Sequence, residues 1–98
     1  MNKRVLIVDD HPEIRRLVRL TLEPESYEMQ EAADGHTALN VATEFAPHIM
    51  LLDVMMAGGL DGYQVCEELK SKAATASVKV IMMTARGQQR DIERGCEA

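Results

Sequence analysis

The sequence predicts a single α/β domain built on a parallel β-sheet. Three short apolar runs, residues 5–8, 49–52 and 78–83, have the length and composition of buried strands. Stretches with helical spacing of apolar residues separate these runs, so the strands must be joined by helical crossovers, which are right-handed. With 98 residues, the chain is expected to form one small domain at 1–98 and no second one.

The first predicted helix covers Pro12–Leu22. Its apolar side chains Ile14, Leu17, Val18 and Leu22 recur at spacings of three and four, which makes one stripe along a helix. Proline is tolerated in the first turn of a helix because the first amide groups have no partner inside the helix. This segment is therefore expected to be amphipathic.

The remaining elements complete a regular β-α alternation. Bulky and polar residues alternate over 27–32, which favours a strand at the edge of the sheet. Helical spacing returns at 36–45, again at 62–72 behind Asp61, a favourable N-cap residue, and more weakly at 88–95. The predicted order is β-α-β-α-β-α-β-α.

Charge and composition restrict the partners and the compartment. The chain has 11 Lys and Arg residues against 16 Asp and Glu, giving a net charge of −5, which does not favour an extended nucleic-acid or anionic-membrane surface. The first apolar run is only four residues long, too short for a signal-peptide core or a membrane span. We therefore expect a cytoplasmic location.

Oxygen-bearing side chains follow three of the predicted strands. Asp9 and Asp10 follow the first, Asp53 follows the run at 49–52, and Thr84 follows the last. Open α/β sheets bind ligands beyond the carboxyl ends of their strands, so these side chains are expected to converge. Carboxylates within about 4 Å repel by roughly 4 kcal/mol per pair at an effective dielectric near 20. A hard divalent cation such as Mg²⁺, Mn²⁺ or Ca²⁺ would relieve that repulsion.

Such a site can support phosphoryl transfer. A carboxylate beside the cation can attack phosphorus in line and form an aspartyl-phosphate, while a hydroxyl binds a phosphoryl oxygen. Asp53 is the expected nucleophile because it stands alone after the central strand, and Thr84 is the expected hydroxyl.

The ordered set of Asp9-Asp10, Asp53-Val-Met-Met, Asp61-Gly62 and Thr84-Ala85 resembles the receiver domain of two-component response regulators. The resemblance runs from the first strand to the last residue. It implies a flavodoxin-like (CheY-like) doubly wound parallel sheet that takes phosphate from a sensor histidine kinase or phosphotransfer protein.

The resemblance also assigns roles to individual residues. It implies that Asp53 is the phosphoacceptor, Asp10 a direct Mg²⁺ ligand, Asp9 an indirect or water-mediated one, and the backbone carbonyl of Met55 another ligand. Thr84 corresponds to the switch hydroxyl, whose movement toward the phosphoryl group changes a partner-binding face. The domain would not be an enzyme in the usual sense, although it would assist its own phosphorylation and dephosphorylation, and it would not itself bind nucleic acid.

The chain departs from the receiver pattern in two places. It ends at Ala98, before the fifth strand with its lysine and before the fifth helix, which leaves the strand order 2-1-3-4. We expect phosphorylation or its conformational readout to be impaired, and apolar surface to be exposed beside the first helix. We also expect a homodimer or strand exchange through the exposed edge of the fourth strand, or poor stability. The loop 56–62 is one residue longer than usual and lacks a proline, which would loosen the geometry around Met55.

Three alternatives accompany this interpretation. Asp9 and Asp10 could simply cap the turn before the first helix, although this leaves Asp53 and Thr84 unexplained. The chain could be a receiver-like dimerisation or docking module that no longer transfers phosphate. A phosphatase of the haloacid dehalogenase type ranks last, because it would need its nucleophile after the first strand and a second Asp where this chain has His11.

Overall fold

The structure is a computed structural model and describes residues 3–53 and 61–83. The elements in this part of the chain are β1 (Arg4–Val8), α1 (Pro12–Leu22), a 3-10 turn (Glu23–Glu25), β2 (Glu28–Ala32), α2 (Gly35–Phe45), β3 (Ile49–Asp53), α3 (Gly62–Ser71) and β4 (Lys79–Met83). They agree with the sequence prediction to within one residue at nearly every boundary. The helix predicted at 88–95 lies outside the described residues. Within the described ranges, no helix is both long and apolar enough to cross a membrane.

The described strands form one parallel sheet in the order β2-β1-β3-β4. This confirms the predicted doubly wound topology and its 2-1-3-4 order. The central strand β1 pairs with β2 on one side and with β3 on the other, so Val8 lies between Ala32 and Leu52. The last residue of β3, Asp53, pairs with Met83 of β4. This register brings the carboxyl ends of all four strands to one edge.

The core lies between the sheet and the helices α2 and α3. The central strand β1 is buried from Val5 to Val8, as expected for a parallel strand covered by helices, whereas β3 alternates between buried and half-buried residues. By contrast, β2 is largely exposed, as predicted for an edge strand. The buried side chains of the main cluster are Leu6, Val8, Ala32, Ala38, Ala42, Met50, Leu52, Val65, Leu69 and Val78.

Side-chain caps start two of the helices. The Asp34 carboxylate accepts a hydrogen bond from the backbone amide of Thr37 at 2.8 Å and begins α2. At α3, Asp61 accepts from the Gln64 amide while the Gln64 side chain accepts from the Asp61 amide, both at 2.9 Å. This reciprocal pair is a capping box and confirms Asp61 as the predicted N-cap.

The helix α1 differs from the other two because none of its side chains is buried. Its apolar residues Ile14, Leu17 and Leu20 are 38%, 60% and 57% exposed. The apolar spacing along Pro12–Leu22 therefore predicted the helix correctly. Of the predicted stripe, Ile14 and Leu17 are exposed, whereas Val18 and Leu22 are half-buried. The exposed apolar surface in this region therefore lies on α1 itself, at Leu17 and Leu20.

Candidate metal site

The carboxyl ends of β1 and β3 bring three aspartates together. Val8 pairs with Leu52 in the parallel register, so the residues that follow them, Asp9 and Asp53, emerge side by side. One ligand atom from each of Asp9, Asp10, His11 and Asp53 can be chosen so that all lie within 4.8 Å of one another. The predicted convergence of Asp9, Asp10 and Asp53 is therefore present in the structure. Thr84 and Met55 lie outside the described residues.

Asp9 is held from several directions. It is 5% exposed, and its backbone amide donates to the Ala32 carbonyl at the end of β2 at 3.1 Å. Its carboxylate Oδ1 accepts from the backbone amide of His11 at 2.9 Å. Its own carbonyl accepts from Nη1 of Arg15 at 2.6 Å. These contacts fix the turn between β1 and α1, from which the acidic pair projects.

His11 is part of the same cluster. Its ring Nδ1 lies 3.0 Å from Oδ1 of Asp9 and 2.9 Å from Oδ1 of Asp10. The hydrogen bond to Asp9 raises the pKa of His11 above its ordinary value, and the negative charge on Asp10 adds to this effect. The His11 side chain is 60% exposed, so it covers the acidic pair only in part.

Arg15 links the acidic turn to the edge strand β2. Besides the Asp9 carbonyl, it contacts Glu31, whose Oε1 accepts from the Arg15 Nε at 3.0 Å. The other oxygen of Glu31 accepts from Nη1 of Arg19, also at 3.0 Å. The Arg15 side chain is only 16% exposed. Arg15 thus links its own helix, α1, to the turn after β1 and to the strand β2.

The sequence analysis did not identify His11, Arg15 or Glu31 as part of the site. His11 could have been found from its position directly after the acidic pair. Arg15 lies four residues after His11, so on a helix it occupies the same face and points back toward the turn. Glu31 carries no local signal, because its contact with Arg15 depends on how β2 pairs with β1.

The donor set fits a hard divalent cation. Carboxylate oxygens are the preferred protein ligands of Mg²⁺, which usually takes one or two carboxylates and keeps several waters. Here Asp10 and Asp53 are partly exposed, whereas Asp9 is buried. The two partly exposed carboxylates are therefore best placed to bind an ion directly.

Comparisons with known proteins agree with this geometry. Residues 5–98 match the family model described as the response regulator receiver domain. The chain is 41% identical over 95 residues to the transcriptional regulatory protein ResD of Bacillus subtilis, covering 97% of this chain and 38% of that protein. It thus spans about two fifths of the length of such curated relatives.

Solved structures show the same fold. A putative response regulator from Chloroflexus aurantiacus superposes with a TM-score of 0.87 at 30% identity, covering 99% of this chain and 79% of that one. The receiver domain of the sensor histidine kinase PA1611 from Pseudomonas aeruginosa gives a TM-score of 0.82 at 27% identity, covering 95% and 75%. That structure has a magnesium ion coordinated in its active-site cleft. With its sheet order, its acidic cluster and these matches, the chain belongs to the response regulator receiver domain family.

Proposed function

We propose that this receiver domain accepts a phosphoryl group on Asp53 from a histidine kinase or phosphotransfer protein, in a reaction that requires Mg²⁺. The observation that carries the proposal is the approach of Asp53 to Asp9 and Asp10 at the carboxyl ends of β3 and β1. The magnesium ion in the related Pseudomonas receiver supports the choice of metal. The domain acts as a cytoplasmic phosphoacceptor and promotes its own phosphorylation and dephosphorylation.

Each residue of the acidic site has its own role in this phosphoryl transfer. A carboxylate oxygen of Asp53 attacks phosphorus in line, the P–N bond of the donor phosphohistidine breaks, and the donor imidazole leaves. Asp10 and Asp53 would hold Mg²⁺ directly, together with the Met55 carbonyl, while Asp9 would contribute indirectly or through water. When bound, Mg²⁺ neutralises charge on the phosphoryl oxygens. The surrounding turn is already fixed by Arg15 and Ala32, so the carboxylates need little rearrangement.

Thr84 would transmit the phosphorylation of Asp53 to a partner-binding face. Its hydroxyl would bind a phosphoryl oxygen and move toward it, which changes a partner-binding face of the domain. Thr84 follows Met83 in the sequence, and the pairing of Met83 with Asp53 supports this proposal. The resulting output is a change of partner affinity, not a chemical product.

Intact mass after incubation with acetyl phosphate and Mg²⁺ tests the proposal. The chain is compared with Asp53→Asn and with the matched control Asp34→Asn, which makes the same change in a helix cap outside the cluster. We expect one phosphoryl group to be added to the unaltered chain and to Asp34→Asn, and none to Asp53→Asn. Omission of Mg²⁺ should abolish the gain.

A fourth protein, extended by a fifth strand and helix, separates the remaining possibilities. A mass gain only in the extended protein would mean that the acidic site works but needs the additional segment. No gain in either length would favour the second function, a receiver-like module for dimerisation or docking that does not transfer phosphate.

A further inference from the structure

We infer that His11 is a nitrogen ligand of the acidic site, so that this receiver binds imidazole-preferring transition-metal ions such as Ni²⁺ more tightly than its carboxylates alone would allow. The inference rests on the proposed Mg²⁺ site and extends it to a second class of ion. It depends on the position of one ring atom relative to two carboxylates.

The ring nitrogen already occupies a ligand position. Nδ1 of His11 lies 3.0 Å from Oδ1 of Asp9 and 2.9 Å from Oδ1 of Asp10. Adjacent ligands of an octahedral ion with metal–ligand bonds of about 2.1 Å are separated by about 3.0 Å. Each of the two nitrogen–oxygen distances thus matches the distance between adjacent ligands of an octahedral ion. On coordination, Nδ1 of His11 and Oδ1 of Asp9 would each bond to the same ion instead of sharing a proton.

The direction of the ring supports the same assignment. The hydrogen bond to Asp9 joins its carboxylate to Nδ1, so this nitrogen faces the acidic cluster. In the tautomer that carries its proton on Nε2, the lone pair of Nδ1 points at the carboxylates. Because the ring is 60% exposed, positions on the solvent side of an ion stay accessible to water or to a phosphoryl oxygen.

An imidazole ligand added to the carboxylates changes which metal ions the site prefers. Three carboxylates favour hard ions such as Mg²⁺, Ca²⁺ and Mn²⁺, whereas an imidazole adds affinity for Zn²⁺, Cu²⁺ and Ni²⁺. Mg²⁺ gains little from a nitrogen ligand and would keep oxygen ligands. A site made of Asp9, Asp10, His11 and Asp53 should therefore rank ions differently from a site made of the aspartates alone.

Titration calorimetry with MgCl₂ and with NiCl₂ tests this inference in the unaltered chain, in His11→Gln and in His36→Gln. Glutamine retains a hydrogen-bond donor for Asp9 and Asp10 but removes the imidazole. His36 is exposed near the start of α2, outside the cluster, and serves as the matched control. We expect His11→Gln to lower Ni²⁺ affinity by at least about tenfold, since even an outer-shell partner of a metal is worth that much. Mg²⁺ affinity should change by less than about threefold in both variants, because oxygen ligands hold this ion.

A spectroscopic measurement identifies the nitrogen directly. Pulsed electron paramagnetic resonance of one equivalent of bound Cu²⁺, an imidazole-preferring ion, should show nitrogen modulation from a coordinated imidazole in the unaltered chain and in His36→Gln, and none in His11→Gln. Equal Ni²⁺ affinities in all three proteins, or no nitrogen modulation in the unaltered chain, would overturn the inference. Absence of Mg²⁺ binding in the unaltered chain would instead contradict the proposed function, so the two failures are distinguishable.

Discussion

Arg15 holds Asp9 through the backbone and not through the carboxylate. Its Nη1 donates to the Asp9 carbonyl at 2.6 Å, while its Nε donates to Glu31 at 3.0 Å. The guanidinium presents several donors in one rigid plane, so a single side chain can bridge the turn after β1 and the edge strand β2. The carboxylate of Asp9 is thereby left to face the cluster.

This arrangement predicts that Arg15→Met weakens Mg²⁺ binding. Two effects oppose each other in this variant. Removal of a positive charge next to three carboxylates would strengthen cation binding, whereas loss of the contact with the Asp9 carbonyl would loosen the turn that presents them. We expect the second effect to dominate and to raise the Mg²⁺ dissociation constant by roughly tenfold, as is typical for loss of an outer-shell partner. Titration calorimetry measures it.

The matched control is Arg19→Met. It removes an equal charge and an ion pair with the same Glu31, but within the described part of the chain Arg19 makes no hydrogen bond to the acidic turn. Its Mg²⁺ affinity should stay the same or rise slightly. If Arg15→Met bound Mg²⁺ as tightly as Arg19→Met, Arg15 would act only through its charge and would have no positioning role.

Two leucines on different helices should differ sharply in their effect on stability. Leu69 of α3 is 1% exposed within the core, so Leu69→Ala is expected to lower the free energy of unfolding by about 2–5 kcal/mol. Leu17 of α1 is 60% exposed, and Leu17→Ala should change the free energy by less than about 0.5 kcal/mol. Urea unfolding followed by circular dichroism measures both. A large loss in Leu17→Ala would show that the α1 stripe is buried in solution.

Much of this architecture followed from local patterns. The positions of α1, β3 and the Asp61 cap depend on residue spacing and on chemistry between near neighbours, which a sequence displays directly. Parallel strand ends meet at one edge, so the approach of Asp53 to the acidic pair was also predictable.

The remaining features depend on tertiary contacts that no local pattern encodes. Spacing shows that α1 has an apolar stripe, but it cannot show whether another element covers that stripe. The bridge from Arg15 to Glu31 requires β2 to pair with β1 in one register. His11 lies next to the acidic pair in sequence, yet its role depends on a ring orientation that only the folded turn determines.

The cap of α2 predicts an acid-dependent loss of stability. The hydrogen bond from the Thr37 amide lowers the pKa of Asp34 below its ordinary value. Since the folded pKa is the lower one, this cap contributes fully above the unfolded-state pKa of about 3.9, and its contribution is lost as the pH falls through the folded-state pKa. Asp34→Asn keeps an acceptor at every pH. Its melting temperature should therefore fall less than that of the unaltered chain between pH 5 and pH 3, roughly the range in which carboxylates titrate.

A differential scanning measurement across this range compares the two proteins, with Asp34→Ala as the reference without a cap. Asp34→Ala should be less stable than the unaltered chain at pH 7, and the difference should shrink toward pH 3. Parallel pH profiles for the unaltered chain and Asp34→Asn would contradict the role of the ionised cap.

The edge of β4 predicts self-association. Among the described strands, β4 pairs with β3 along one side, and its residues are as apolar as those of the central strands. A long apolar strand edge is a template for pairing with a second chain. Size-exclusion chromatography with light scattering should therefore show a mass that rises with concentration, through a homodimer or exchanged strands.

The exposed leucines of α1, Leu17 and Leu20, offer a competing route to association, and the double variant Leu17→Glu/Leu20→Glu separates the two. Two carboxylates on that face would oppose helix-mediated association by desolvation and repulsion, but they lie on a different element from β4. If the β4 edge is responsible, the variant should associate as the unaltered chain does. A monomeric variant would assign the interface to α1, and an unaltered chain that stays monomeric at every concentration would show that β4 does not template pairing at all.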